Sequence, residues 1–131
     1  MRLLLTNYAR VIAALTVWRE SRGVPDAWIA VTWVILNRAA KGSDLVSVCT
    51  KKWQFSSMTA TGDPNLVIWP ADDNQIWLNC LATVNEVLDN KIHDPTSSAT
   101  FYFSTPLTSP PAAWGVVEHT ITIGTLQFYR S

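Results

Sequence analysis

Apolar residues recur at helical spacing through most of the first forty residues of this chain, with one interruption at residues 23–25. Over residues 3–19 the apolar side chains recur three or four positions apart, which predicts an amphipathic helix; they are Leu4, Tyr8, Val11, Ile12, Leu15 and Trp18. Gly23 suits the C-terminal cap of that helix, and Pro25 cannot continue it but fits the first turn of another. A second helix is therefore predicted from Pro25 to about Arg38.

The rest of the chain is less regular. A short helical turn is predicted over residues 44–50, and a third long helix over about 71–90, with Asp72 and Asp73 in its first turn. Residues 51–70, broken by one glycine and two prolines, predict a long loop of the kind that often lines a site. Short apolar runs near 116 and 121 predict loops and short strands. We therefore expect a mostly α, α+β fold with the helices first.

The size and composition narrow the class further. A chain of 131 residues with 48% apolar and 15% charged residues is expected to form one folded domain, residues 1–131, rather than a disordered segment. No apolar stretch approaches the length of a membrane span, and no spacing typical of a metal or cofactor site occurs. Cys49 and Cys80 are expected to be buried free thiols, with a disulfide as the alternative. We expect a monomer.

The charges cancel overall but not locally. Ten basic and ten acidic residues give a formal net charge of zero, which argues against nucleic acid as a partner. Residues 1–52 carry eight Lys/Arg and three acids, whereas residues 53–131 carry two and seven. This asymmetry either steers a charged substrate or reflects solvated faces.

Glu20 is the acid with the most suggestive surroundings. It lies at the C-terminal end of the first predicted helix, between Trp18-Arg19 and Ser21-Arg22. A carboxyl group in a partly apolar cleft at a helix end can hold a proton near neutrality and donate it to a substrate. The alternative is a surface ion pair with Arg19 or Arg22.

Three motifs resemble a known family. They are Trp18-Arg19-Glu20-Ser21-Arg22-Gly23, Ala30-Val31-Thr32-Trp33-Val34-Ile35-Leu36-Asn37-Arg38, and Gln54-Phe55-Ser56. Together with Tyr102 and matches near residues 94–100 and 123–130, they are similar to the cell-wall hydrolase family that includes the spore cortex-lytic enzymes. The resemblance implies a lysozyme-like fold that cleaves peptidoglycan glycan strands, with Glu20 as the catalytic acid.

The sequence departs from the family pattern at three positions. Val24 stands where the family usually has a second acid, Ser98 where a glycine is common, and Leu126 where a histidine is common. The acid that remains favours a lytic transglycosylase, because this reaction needs one carboxyl group whereas hydrolysis generally takes two. A muramidase stays open as an alternative.

Substrate contacts are expected from the long loop and from the last third of the chain. Gln54 and Tyr102 can hydrogen-bond the substrate or orient Glu20, and Ser56 completes the loop motif. Aromatic side chains on the loop can stack on sugar rings; they are Trp53, Phe55 and Trp69.

The expected place of action is the bacterial cell wall, in the periplasm. Because no signal peptide is recognised at the start of the sequence, we expect a phage lysis protein (an endolysin) made in the host cytoplasm and released at lysis. A bacterial enzyme represented without its leader is the alternative origin. The alternative function is a non-catalytic module that binds glycan or protein on the same fold.

Overall fold

A computed structural model describes residues 5–104 and 109–131 of the chain. Its elements are the helices α1 (Asn7–Ser21), α2 (Trp28–Ala39), α3 (Leu45–Thr50), α4 (Ser56–Thr59) and α5 (Gln75–Leu88), and the strands β1 (Phe101–Ser104), β2 (Glu118–Ile123) and β3 (Leu126–Arg130). Single turns of 3-10 helix lie at Pro25–Ala27, Pro64–Val67 and Ala112–Trp114. The mostly α, α+β fold with the helices first is confirmed.

The first two helices form where the apolar spacing predicts them. The Thr6 side chain caps α1 by accepting a hydrogen bond from the Ala9 amide at 3.1 Å. The proline-led turn at Pro25–Ala27 then runs directly into α2. Their facing residues form the centre of the core, where Val17 and Ile35 have no exposed surface. Leu3 and Leu4, in the predicted start of the first helix, lie outside the described residues.

The third long helix begins later than predicted. The side chain of Asn74 accepts the Trp77 amide at 3.0 Å, so α5 starts at Gln75. Asp72 and Asp73 precede this cap and lie outside the helix, because the Asn74 side chain already occupies the capping position.

The long loop at residues 51–70 contains two short helical segments, α4 and the 3-10 turn at Pro64–Val67. Arg19 of α1 is only 4% exposed, and its guanidinium anchors this loop by hydrogen bonds. Its Nε donates to the Ile68 carbonyl at 3.1 Å and its Nη1 to the Ser57 carbonyl at 3.2 Å. Burial lowers the pKa of Arg19, and the charge of Asp63 opposes that shift.

The three strands form an antiparallel sheet in the order β1-β3-β2. Residues Tyr102 and Phe128 are paired in its register, and Phe128 is completely buried in the core. Phe101 and Phe103, on either side of Tyr102, both contact the Trp114 ring. Because side chains alternate along a strand, Tyr102 faces the helices and its two neighbours face away.

The turn of the β2-β3 hairpin packs against the link between the first two helices. Gly124 in this turn has a φ of +57°, and a Cβ atom at this position would lie 2.7 Å from Cγ1 of Val24. Glycine is therefore required here both by the backbone conformation and by the lack of space.

Two further predictions concern thiols and membranes. Cys49 and Cys80 are buried and free, as the sequence favours. In the parts of the chain that the structure describes, no helix is both long and apolar enough to cross a membrane.

Candidate active site

The candidate site lies where the end of α1 meets the first strand. Glu20, in the last turn of α1, is partly exposed, and its Oε1 accepts a hydrogen bond from the phenol of Tyr102 on β1. The helix ends one residue later, and the apolar residues of α1 anchor this end against the core. The structure thus brings together two residues that the sequence selects on independent grounds.

The end of α2 fixes the position of Tyr102. The side-chain Nδ2 of Asn37 donates to the Asp94 carboxylate at 3.0 Å and to the Ala99 carbonyl at 2.9 Å. Its neighbour Arg38 donates from Nε to the Thr100 carbonyl at 2.7 Å. These bonds hold the segment just before β1 onto the helices, so the strand enters the sheet at a defined position relative to Glu20.

Asp94 shapes the turn that these bonds hold. Its carboxylate accepts hydrogen bonds from the amide of Thr96 at 2.7 Å and from the amide of Ser98 at 3.1 Å. Ser97 and Ser98 have φ angles of 53° and 69°, in the left-handed region that favours glycine. The position where the family commonly has glycine therefore keeps the glycine-like backbone conformation with a serine.

Arg38 is the basic partner of the site. Its guanidinium carbon lies 4.7 Å from the centre of the Phe55 ring. Burial lowers the pKa of Arg38, and the nearby phenol of Tyr102 and carboxylate of Glu20 oppose that shift. The guanidinium is thus close enough to both groups for their charges to influence it.

The sequence predicts that Arg38 lies in a helix and in a motif, but it does not indicate a function for this residue. The signal was available, because Val31, Val34, Ile35 and Arg38 lie at helical spacing on one face. A charged residue in an apolar stripe indicates a buried polar contact or a site.

Tyr102 stays protonated over the whole physiological range. Burial raises the pKa of the Tyr102 phenol well above its ordinary value, and the charge of Glu20 and the hydrogen bond to it act in the same direction. Arg38 opposes this shift. The phenol is therefore a permanent donor to Oε1, and it does not use the second carboxylate oxygen.

The flanking arginines make other contacts. Arg19 binds loop carbonyls, and Nη2 of Arg22 donates to the Asn65 side chain at 2.8 Å. Within the described residues, the ion pairs are Arg10 with Asp89 and Arg130 with Glu118. The alternative of a surface ion pair between Glu20 and Arg19 or Arg22 is therefore wrong.

The predicted loop contacts separate into three groups. Gln54 lies beside Arg38, whose Nη1 is 3.4 Å from the Gln54 carbonyl oxygen. Trp53 and Ser56 line a groove of about 480 Å³ that also includes Lys52 and residues 59–62. Trp69 is 69% exposed, and the guanidinium of Arg19 lies 4.5 Å from its ring centre.

Phe55 requires a correction. Only 2% of its surface is exposed, and its ring packs in the core beneath Arg38. Because no ring face is open to a sugar, we assign Phe55 to the support of Arg38 rather than to substrate stacking.

Two acids that could have supplied a second carboxylate have structural contacts. Asp63 accepts hydrogen bonds from the Ser56 hydroxyl at 2.6 Å and the Asn65 amide at 2.8 Å, as expected of a turn residue. Glu118 pairs with Arg130 at 3.0 Å on the sheet. In residues 5–104 and 109–131, no group of three or more His, Cys, Asp or Glu residues is arranged to hold a metal ion.

Two solved structures share the fold. They are the catalytic domain of the Bacillus cereus SleB protein and the catalytic domain of the germination-specific lytic transglycosylase SleB from Bacillus anthracis. The first is 22% identical, with a TM-score of 0.73 over 98% of this chain and 94% of that one. The second is 21% identical, with a TM-score of 0.73 over 98% of both chains. At this level of identity the likeness establishes the fold.

The family is established by sequence. Among curated proteins, none is similar enough to this chain to count as a match. The family model described as Cell Wall Hydrolase matches residues 25–129, a segment that includes Arg38 and Tyr102 and begins after Glu20. This match covers most of the chain, and the chain therefore belongs to the cell wall hydrolase family.

Proposed function

We propose that this protein cleaves the glycan strands of peptidoglycan as a lytic transglycosylase, with Glu20 as general acid and then general base. The observation that carries the proposal is the contact of the Glu20 carboxyl with Tyr102, beside the half-buried Arg38. Membership of the cell wall hydrolase family supports peptidoglycan as the substrate and the cell wall as the place of action.

The reaction requires two proton transfers by one carboxyl group. Protonated Glu20 donates its proton to the glycosidic oxygen, and the bond between that oxygen and C1 of the muramic sugar breaks. The resulting carboxylate then takes the proton from the C6 hydroxyl of the same sugar. The C6 oxygen bonds to C1, which closes an anhydro ring without water and returns Glu20 to its protonated form.

Tyr102 and Arg38 support both steps. With the Tyr102 hydroxyl on Oε1, the transferred proton belongs on Oε2, so the phenol orients the carboxyl group. The positive charge of Arg38 stabilises the carboxylate that exists between the two transfers. Neither residue needs to exchange a proton itself.

The groove beside Trp53 supports a place for the sugar chain. Trp53 is 84% exposed. The Nζ of Lys52 lies over one face of its ring, 4.9 Å from the ring centre, so the other face is available for a sugar. Ser56, Thr59 and Thr61 also line the groove. Because the Ser56 and Thr59 hydroxyls donate to Asp63 and to the Phe55 carbonyl, their oxygens are left as acceptors for sugar hydroxyl groups. An apolar ring face beside such polar groups matches the alternating character of a pyranose. We propose Trp53, Ser56 and Gln54 as substrate contacts, with Trp69 as a further aromatic contact.

Mass spectrometry of purified peptidoglycan digested by the protein tests the proposal. A transglycosylase leaves 1,6-anhydro-muramic ends, which are lighter by one water than hydrolytic ends. Digestion in ¹⁸O-labelled water should leave the product mass unchanged. Reducing ends that carry the heavy oxygen would instead establish a muramidase.

The alternative of a non-catalytic module is distinguished by the same digests. A module of this kind would bind wall material and release no fragments. The partly exposed Glu20 with a dedicated phenol donor favours the enzyme, because a binding surface has no need of an oriented carboxyl group. An origin in a phage and release at lysis stay predictions.

A further inference from the structure

A basic cavity of about 310 Å³ lies beside the candidate active site. Three of its lining residues are cations, namely Arg38 at the end of α2, Lys41 just after it, and Lys51 at the end of α3. Gln54 and Thr100 add polar groups to the wall. This volume is at the lower end of the range for small-ligand sites, since that range begins at about 300 Å³.

No acidic side chain in the lining of this cavity balances its positive charge. All residues that line it are described, and none is an acid. Within residues 5–104 and 109–131, Arg38, Lys41 and Lys51 form no ion pair, whereas Arg10 and Arg130 do. The contact of Lys41 is with the neutral Ser131 hydroxyl, at 3.5 Å. Uncompensated charge in a concave site concentrates anions there.

The cavity and the candidate acid share one side chain. Arg38 lines the cavity, and the charge of Glu20 acts on the same guanidinium. The guanidinium is held in place by the Thr100 carbonyl and the Phe55 ring. A ligand in the cavity therefore lies one side chain away from the reacting carboxyl group.

We infer that this cavity binds a carboxylate of the stem peptide attached to the glycan strand. The inference rests on the proposed function, since it places the peptide branch next to the cleaved bond. Neutral sugar rings carry no anionic group for three cations to bind. The stem peptide, in contrast, carries carboxylates close to the muramic sugar. Gln54 can pair with the peptide's amide groups, and Val48 and Phe101 offer apolar contact to its side chains. The protein then recognises the stem peptide as well as the glycan strand.

The first experiment compares two substrates. Cleavage is measured on intact peptidoglycan and on the same glycan after an amidase has removed its stem peptides and the lactyl carboxyl groups that this frees have been converted to amides. The variant is Lys41→Ala/Lys51→Ala, and the control is Lys91→Ala, an exposed lysine that lies away from the cavity lining. We expect the double variant to raise KM on intact peptidoglycan by about tenfold, the scale for losing the charge contacts of two exposed lysines, with kcat unchanged. On peptide-free glycan its KM should match that of the parent.

Equal loss on both substrates, or no loss on either, would overturn the inference. The first result would mean that the lysines act on the glycan itself or on folding, and the second that they bind nothing. The Lys91→Ala protein should match the parent on both substrates. If it shares the defect, general charge attraction is the cause and the cavity is not a peptide site.

A binding measurement keeps the inference separate from catalysis. The Glu20→Gln protein is titrated calorimetrically with N-acetylmuramyl-L-alanyl-D-glutamate, with its diamide and with inorganic phosphate. We expect the dicarboxylate to bind at least about tenfold more tightly than the diamide, and Lys41→Ala/Lys51→Ala to remove that difference. Should the parent cleave no glycan at all, this result would still support the cavity while the proposed function failed. Phosphate binding as tight as the dicarboxylate would overturn the stem peptide as the ligand.

Discussion

The phenol of Tyr102 donates a hydrogen bond to Oε1 of Glu20 across 82 residues of sequence. One partner ends a helix and the other lies in the middle of a strand, so the contact joins the helical and sheet parts of the fold. The bond gives the carboxyl group one defined orientation. It also leaves Oε2 without this donor, and in the proposed mechanism Oε2 is the oxygen that faces the substrate.

Replacement of Glu20 by glutamine should abolish most activity. Glu20→Gln keeps the shape of the side chain but removes its transferable proton, so the rate of glycan cleavage should fall by at least about a hundredfold. Glu86→Gln, on the exposed face of α5, is the matched control and should cleave at the parental rate. Release of soluble fragments from purified walls measures both. A Glu20→Gln protein that cleaves at close to the parental rate would contradict the assignment, provided that circular dichroism shows it folded.

Tyr102→Phe should lower kcat while leaving the fold and KM close to those of the parent. The change removes a hydrogen bond to a charged group, worth about 1.5–3 kcal/mol, and so predicts a decrease of about tenfold or more. Tyr8→Phe removes a hydroxyl from a side chain that is 64% exposed and serves as the control. Steady-state kinetics on peptidoglycan distinguish the two. An effect confined to KM would show that Tyr102 binds substrate and does not orient Glu20.

The two thiols should make the protein less stable at high pH. Burial raises the pKa of Cys49 to about 11 and that of Cys80 to about 12, from the ordinary thiol value of 9.0. Above pH 9 the unfolded chain therefore loses protons that the folded chain keeps. The contribution of each thiol to stability is complete below pH 9 and decreases as pH rises through the folded-state pKa.

The expected loss by pH 10 is about 1.4 kcal/mol per thiol. Urea unfolding at pH 8 and pH 10, with a reductant present, measures it. Cys80→Ala should show a smaller decrease between the two pH values than the parent, since one of the titrating groups is gone. An identical decrease in both proteins would mean that other groups cause the effect.

Ser98→Gly should stabilise the turn before β1. Serine at a φ of 69° is strained, and glycine adopts that conformation freely while keeping the amide that donates to Asp94. We expect a gain of about 0.5–1 kcal/mol in the free energy of unfolding, or about 2–4 °C in Tm. Ser104→Gly, in the exposed and extended end of β1, should have the opposite sign. If both changes destabilise, strain at Ser98 is not significant.

Gly124→Ala should destabilise the hairpin by about 1–3 kcal/mol, because the new methyl group meets Val24 and the φ of +57° disfavours any side chain. Adding Val24→Ala should recover part of that loss by making room, and the backbone strain should account for the rest. Gly62→Ala, where a Cβ atom meets nothing within 4 Å, should change stability by less than about 0.5 kcal/mol. Thermal unfolding of the four proteins is the measurement, and a neutral Gly124→Ala would contradict the close packing.

The sequence predicts the local features of this fold better than its long-range contacts. The spacing that defines α1 and α2 lies within each helix, so the two helices could be located from their own residues. The sequence does not predict the exact start of α5, because Asp72, Asp73 and Asn74 are all suitable caps. The hydrogen bond from the Trp77 amide shows that Asn74 is the cap.

The site was predictable only in part. Glu20 could be selected from its place at a helix end, and Tyr102 from its motif, but their contact depends on how the sheet meets the helices. The role of Arg38 and the burial of Phe55 depend on the same packing, since a guanidinium on a ring is not encoded by spacing along either segment. An aromatic loop residue has no local signal that separates a core side chain from a sugar platform.

Because side chains alternate between the two faces of β1, the proposed activity depends on the correct register of β1 against β3. A slip of one residue against β3 would turn Tyr102 to the outer face and bring Phe101 or Phe103 toward Glu20. Both substitutes are aromatic and of similar size, so a misregistered chain could still fill the core. It would lack the hydroxyl, however, and its acid would have no donor. In the proposed mechanism, a compact but mispaired molecule of this protein would therefore keep a filled core and fail to cleave glycan, which makes the hydroxyl oxygen of Tyr102 the atom that distinguishes the two forms.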